Sequence, residues 1–279
     1  MPQQVTNIKK RIASIKGAYK VTSAMKLIST VKLKKWRKTM LDNKMYANEL
    51  ASIVSEIFRF TEEVNSPFFQ ANGNTEKKLY IIISSTLGLC GSYNNNIFRL
   101  ADKEITPKDD ILVIGQKGMT HFEDSENEVV EGFEEVSNRV ESGFLKKLYG
   151  LITSKFTAGE YKEVHLIYSE YVNALAFRAK DSILLPISKQ EGSGLLPPLM
   201  EPNQEVLLEK LVPIYLKSSI YSKILESEVC EQASRSNAME NATKNAEDLL
   251  DQLSIEFNKA RQGAITQEII EIVACSQNV

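Results

Sequence analysis

Two short glycine-bearing turns are the stretches of this chain best spaced for chemistry. Gly88-Leu89-Cys90-Gly91 follows an apolar run and precedes a helix-like segment, a place where backbone amides can cradle a phosphate. It lacks both the Gly-Lys-Ser/Thr of a P-loop and the GxGxxG of a dinucleotide site. A tight turn that packs helix on strand accounts for it better. Gly115-Gln116-Lys117-Gly118 has the same character. Cys90, Cys230 and Cys275 lie far apart, and neither His121 nor His165 has a Cys or His neighbour, which argues against a zinc site and for reduced thiols. No nucleophile elbow and no paired carboxylates in a cleft-like context stand out. The sequence therefore assigns no catalytic residue, no cofactor and no metal.

What stands out is charge. Residues 1–41 carry eleven basic side chains (among them Lys9, Lys10 and Arg11) and no Asp or Glu, although the whole chain has a net charge of −2. Like charges spaced along one helix repel one another, so such a stretch calls for an anionic partner: nucleic acid, a membrane surface or an acidic protein. Nucleic acid is the leading alternative to a protein partner. Only Tyr19 and Trp36 offer aromatic stacking within the basic stretch, which disfavours it. A membrane-surface helix would need a wide, aromatic-rich apolar face instead of a narrow seam. The first residues contain no apolar core of signal-peptide length, and no run of 18 apolar residues occurs, so export and membrane spanning are not expected.

The elements that carry these charges are two long helical arms. From about Val5 to Phe60 the spacing of Ile8, Ile12, Ile15, Tyr19, Thr22, Met25 and Ser29 predicts one helix of roughly 80 Å. Leu50, Ile53, Val54, Ile57 and Phe58 broaden its apolar face near the far end. From Gln204 to Ser276 a second helix of roughly 100 Å is predicted, with a seam at Ala242, Ala246, Leu249, Leu253, Phe257, Ala260 and Ala264. Pro213 should kink it or mark a short preliminary helix. Between the arms, Leu79–Ser84, Asp110–Gly115, Val164–Tyr168 and Ile183–Ile187 read as strands. They alternate with helical segments at Asn94–Glu104, Lys117–Glu126 and Glu134–Ala158. Residues 61–76 and 189–203 read as linkers. The expected architecture is a 1–60 helical arm, a 77–190 Rossmann-like open α/β domain and a 204–279 helical arm, with the arms paired as an antiparallel coiled coil.

Three stretches resemble the gamma subunit of the F-type ATP synthase. IKKRIASIKGAYKVTSAMKLISTVKLKK near the N-terminus is similar to that family's opening helix. ISSTLGLCGSYNNNIF, from Ile83 to Phe98, is similar to the entry to its central domain. AMENATKNAEDLLDQLSIEFNKARQGAITQEIIEIVA, from Ala238 to Ala274, carries the strongest resemblance. The family commonly has Asp-Arg-Gly-Leu-Cys-Gly-Gly where this chain has Thr86-Leu87-Gly88-Leu89-Cys90-Gly91-Ser92, so a charged pair is missing there.

The resemblance implies a non-catalytic rotor shaft of a bacterial, proton-translocating ATP synthase. It would turn inside a ring of alpha and beta subunits and bind the epsilon subunit and the c-ring through the α/β domain. The chain would sit peripherally on the cytoplasmic face of the inner membrane. It also implies site residues. Arg261 and Gln262 match a pair that hydrogen-bonds a loop of one beta subunit, and Thr266, Gln267 and Glu268 follow in the same motif. Met25 matches a position near a beta-subunit contact, Lys9, Lys10 and Arg11 form the basic triplet, and Glu231 and Arg235 match a polar pair lower on the shaft. Cys230 stands where serine is commoner, and no inserted cysteine pair suggests a thiol switch.

Overall fold

The computed structural model describes residues 3–60, 66–133, 142–173, 176–188, 200–201 and 203–276. Helix α1 runs from Gln3 to Phe60 and the last helix, α5, from Gln204 to Ser276. Strands β1 (Lys78–Ile83), β2 (Asp110–Ile114), β3 (Val129–Phe133), β4 (Glu163–Tyr171) and β5 (Phe177–Leu185) form one sheet in the order β3-β2-β1-β4-β5. The first four strands are parallel, and β5 runs antiparallel to β4. Helices α2 (Tyr93–Glu104), α3 (Gln116–His121) and α4 (Ser142–Thr157) connect them. The expected class, an open α/β sheet with long terminal helices, is the one observed.

The chain divides into two compact units, one of Val31–Ser234 and one of Met1–Thr30 with Arg235–Val279. In the larger unit the sheet is covered on both faces, as uninterrupted runs such as Leu79–Ile83 require. Ile81, Ile83, Leu166 and Tyr168 face Val54 and Ile57 of α1, Leu148 and Ile152 of α4, and Leu208, Val212, Leu216 and Ile220 of α5. Tyr80, Ile82, Val113 and Ile167 face Tyr93, Ile97 and Ala101 of α2 and Cys230 of α5.

In the smaller unit the helices pair antiparallel. Thr22 meets Thr243 through hydroxyls 2.9 Å apart, Lys26 meets Glu240 at 2.8 Å, and Thr30 meets Ser236 at 3.1 Å, so one number climbs as the other descends. Val5, Ile8 and Ser29 of α1 and Met239, Ala246 and Leu253 of α5 are buried, while most of their neighbours are exposed.

Several expectations are corrected. A fifth strand, β3, occupies residues left unassigned in the sequence; as an edge strand it is only half-buried and carries no continuous apolar run. Strand β5 begins at Phe177, six residues before the Ile183 expected, because its alternation of Arg178, Lys180 and Asp181 with smaller residues hides a half-solvated edge. It stops at Leu185, before Pro186. Helix α3 ends at His121 and not at Glu126. The helix expected from Glu134 is described from Ser142, and 134–141 lie outside the described residues, as do 61–65, 189–199 and 202 of the two linkers. Pro213 does not end α5; its neighbour Val212 and nearby Leu208 and Leu216 are buried against the sheet, and that packing outweighs the roughly 3 kcal/mol a mid-helix proline costs. Ile53 and Leu249, expected on apolar faces, are 44% and 43% exposed.

Candidate functional sites

The glycine-bearing turns are packing devices. Gly115 has φ of 102°, and a Cβ there would lie 2.2 Å from the Ser84 carbonyl oxygen, so only glycine fits. A Cβ at Gly118 would fall 2.6 Å from the Ser84 hydroxyl. That hydroxyl donates to Ile114 O at 2.9 Å and accepts from the Gly118 amide at 2.8 Å, fastening the start of α3 to the ends of β1 and β2. In the other turn, Asn94 accepts from the Ser85 amide at 3.1 Å and donates to the Ser85 hydroxyl at 2.8 Å and the Cys90 sulfur at 3.3 Å. These polar groups are committed to holding the loop on α2. Among the described residues no group of three or more His, Cys, Asp or Glu is arranged to hold a metal ion.

The most heavily buried part of α5 is polar. Every residue from Leu225 to Arg235 is buried, including Glu226, Ser227, Glu228, Glu231, Gln232 and Ser234. The cause lies in the sheet. Strand β4 pairs with β1 only as far as Ile167, leaving later backbone groups without a strand neighbour on that side. Helix α5 supplies the missing partners. The Ser227 hydroxyl accepts from the Ser169 amide at 3.0 Å, and Glu226 accepts from the Tyr171 amide at 3.1 Å. The Cys230 thiol donates to Ser169 O at 3.3 Å, and the Ser234 hydroxyl donates to Cys90 O. Lys44 and Lys223 approach the buried Glu226 at 3.4 and 3.6 Å. Burial pushes the Cys230 thiol up to about 12. Burial likewise drives the Tyr93 phenol well above its ordinary value, the Glu231 carboxylate adding to it. Burial holds the Lys223 ammonium below its usual range, against the pull of Glu226.

This docking patch was not anticipated, beyond the pair Glu231 and Arg235, which fall within it and are both buried. The available signal was a helical segment, Glu226 to Ser234, with polar residues on every face and no seam.

The remaining site residues that the resemblance implies lie in the smaller unit. Lys9, Lys10 and Arg11 are exposed on α1, and Met25 is half-buried. The other basic side chains of residues 1–41 are also exposed apart from the half-buried Lys26, so the cationic helix is a solvated surface. On α5, Arg261, Gln262, Thr266, Gln267 and Glu268 are all exposed. Their described side-chain bonds stay within the helix: Thr266 to the Gln262 carbonyl at 2.9 Å, and Gln267 to Glu271 at 3.0 Å. Ile265, Ile269, Ile270 and Ile272 share this segment and are each about half exposed or more.

One unit is an open α/β sheet packed with helices, and the other is an antiparallel helical pair with an exposed cationic face. Solved structures share the fold. The fold matches a chain of the mitochondrial ATP synthase of Euglena gracilis with a TM-score of 0.67 at 19% identity, covering 98% of this chain and 94% of that one. It matches a chain in a structure of the central stalk and c-ring of the Tetrahymena thermophila mitochondrial ATP synthase with a TM-score of 0.58 at 23% identity, covering 80% and 99%. The ATP synthase family model matches residues 4–279. The ATP synthase gamma chain of Mycoplasma mobile is 37% identical over 98% of both chains, and that of Clostridium beijerinckii is 36% identical over 97% of both. The chain belongs to the ATP synthase gamma chain family.

Proposed function

We propose that this chain is the rotor shaft of a bacterial F-type ATP synthase, a non-catalytic subunit that transmits torque between a membrane c-ring and a catalytic ring of alpha and beta subunits. The observation that carries this reading is the near full-length match to gamma chains, joined to a helical pair whose outer surface is exposed and charged. The exposed Arg261, Gln262, Thr266, Gln267 and Glu268, with Met25 and the basic Lys9, Lys10 and Arg11, face beta subunits in this reading. Screened surface charge would orient the rotor more than bind it tightly. Glu231 and Arg235, being buried, act on the shaft's own structure. The 77–190 domain takes the epsilon subunit and the c-ring. The 1–60 and 204–279 segments are the arms.

No described helix is long and apolar enough to cross a membrane, so attachment to the cytoplasmic face of the bacterial membrane would be peripheral and mediated by the c-ring. Reconstitution with alpha and beta subunits tests the reading. A bead on an engineered surface cysteine is needed, since Cys90 and Cys230 are buried. ATP-driven rotation in one direction is expected. Failure to enter the ring, with duplex DNA binding that weakens steeply with salt, would establish the nucleic-acid alternative instead.

A further inference from the structure

Strands β1, β4 and β5 carry a chain of charges for which the rotor reading has no use. His165 on β4 keeps 7% of its side chain exposed, with Nδ1 2.8 Å from Asp181 Oδ2 on β5 and Nε2 3.1 Å from Glu163 Oε2 on its own strand. Lys78 on β1 places Nζ 2.8 Å from the same Glu163 oxygen. The Tyr80 ring lies against the imidazole, centroids 4.7 Å apart. Glu163, His165 and Ile167 share one face of the strand, and Asp181 pairs with Ile167, which sets it diagonally beside His165. The other oxygen of Asp181, Oδ1, is buried without a hydrogen-bond partner.

A neutral imidazole has one N–H and one lone pair. Between two carboxylates, the lone pair would confront a negative oxygen at hydrogen-bond distance. Only the doubly protonated ring donates to both. Burial opposes that charge, but the hydrogen bonds to Asp181 and then Glu163 outweigh it and hold the imidazole above its ordinary range. Other charged groups lie on the neighbouring elements. Lys78 on β1 works against protonation. Asp109, in the turn before β2, is held by the Lys78 and Thr106 amides, and Glu104 ends α2, whose last carbonyl accepts from the Tyr80 hydroxyl. Two carboxylates hydrogen-bond the ring and outweigh the opposing Lys78, so the balance favours the proton.

We propose that Glu163, His165 and Asp181 form a proton-operated clasp that fastens the edge strand β5 to β4 and lets it go as the pH rises. The clasp sits where the β4–β5 ladder is irregular, between Val164 and His165, and there the side chains take over what the backbone pairing lacks. Once His165 gives up its proton, one of the two carboxylates faces a lone pair. If that one is Asp181, neither of its oxygens has a donor, and the strand end opens to hydrate it. The direction follows from the raised affinity for the proton. The clasp's contribution is complete below the ordinary imidazole value and is lost as the pH climbs through the folded one.

Exchange of the imidazole Cε1–H for deuterium in the full chain, followed by mass spectrometry, reads the titration of His165 apart from that of His121. Its midpoint should lie above the ordinary value of about 6.5. Backbone exchange over Phe177–Leu185, normalised to the central strand Asp110–Ile114, should accelerate by up to about tenfold per pH unit beyond that midpoint. Asp181→Asn should lower the midpoint while keeping the fold, and His165→Gln should leave β5 exchange parallel to that of β2 at every pH. A His165 midpoint at or below the ordinary value, or wild-type β5 exchange that tracks β2 across the range, overturns the proposal.

Discussion

The two compact units solve the problem of burying a long helix in opposite ways. In Val31–Ser234, helices α1 and α5 lie against a sheet, and their side chains vanish on several sides at once; α5 is buried at every position from Leu225 to Ser234. In the unit of Met1–Thr30 and Arg235–Val279, each helix buries one narrow stripe and leaves the rest to solvent. The same two helices are thus core elements in one unit and a thin two-stranded pair in the other. A sheet can satisfy polar groups on a buried helix, because strand ends offer spare amides and carbonyls. A partner helix has no spare backbone groups to offer. Buried polar residues are consequently many in the first unit, whereas in the second Ser29 and Arg235 are buried and most polar side chains face outward.

Thiol chemistry puts the widest gap between them. Cys230 holds its proton up to about 12, so its thiolate near pH 8.5 is about a thousandth of that of an exposed cysteine of ordinary pKa. With Cys275 replaced by serine, native alkylation near that pH should modify an introduced Gln252→Cys within minutes and spare Cys230. Because the folded value is raised, the protonated thiol's contribution to stability is complete below the unfolded value and is lost as the pH climbs toward about 12. Equal rates for the two sites would mean that the docking patch opens as readily as the helical pair.

Stability measurements narrow the contrast. Ile81→Ala empties a position with no exposed surface in the middle of the sheet and should cost about 4 kcal/mol in denaturant unfolding. Leu253→Ala removes a seam residue that is 5% exposed but flanked on both sides by solvent-facing neighbours. The site can relax, so the cost should fall near 2 kcal/mol, roughly the low end for such truncations, and should appear as faster amide exchange along α5. Equal costs would show that the narrow seam is as tightly packed as the sheet core.

The division explains which features could be read from sequence. Fully buried strands announce themselves, as Leu79–Ile83 and Asp110–Ile114 do through unbroken apolar runs. The seam from Ala242 to Ala264 does so through its spacing. Edge strands do not. Val129–Phe133 is half-buried and flanked by acidic residues, and β5 mixes charges into its ladder, so neither run is apolar enough to stand out. The polar patch on α5 was hidden for a related reason. Glu226 and Ser227 are buried by a strand end that only the tertiary register creates. For Arg261 and Gln262 the sequence offered a family motif, and the fold adds only their exposure.

That last point yields the smallest expected effect on the molecule itself. Replacing Arg261 and Gln262 with alanine removes two exposed side chains from α5, and alanine is the better helix former, so the unfolding midpoint should stay where it is. The Thr266 hydroxyl keeps its acceptor, because that acceptor is the backbone carbonyl of residue 262 and not its side chain. If these residues meet a beta subunit, the same variant should lower the rotation rate or the torque of the reconstituted motor while the isolated chain melts as before. A shifted midpoint would make them structural members of the helical pair. An unchanged midpoint with unchanged rotation would make them solvated flank residues, and the contact with the ring would then have to be sought among the exposed isoleucines nearby.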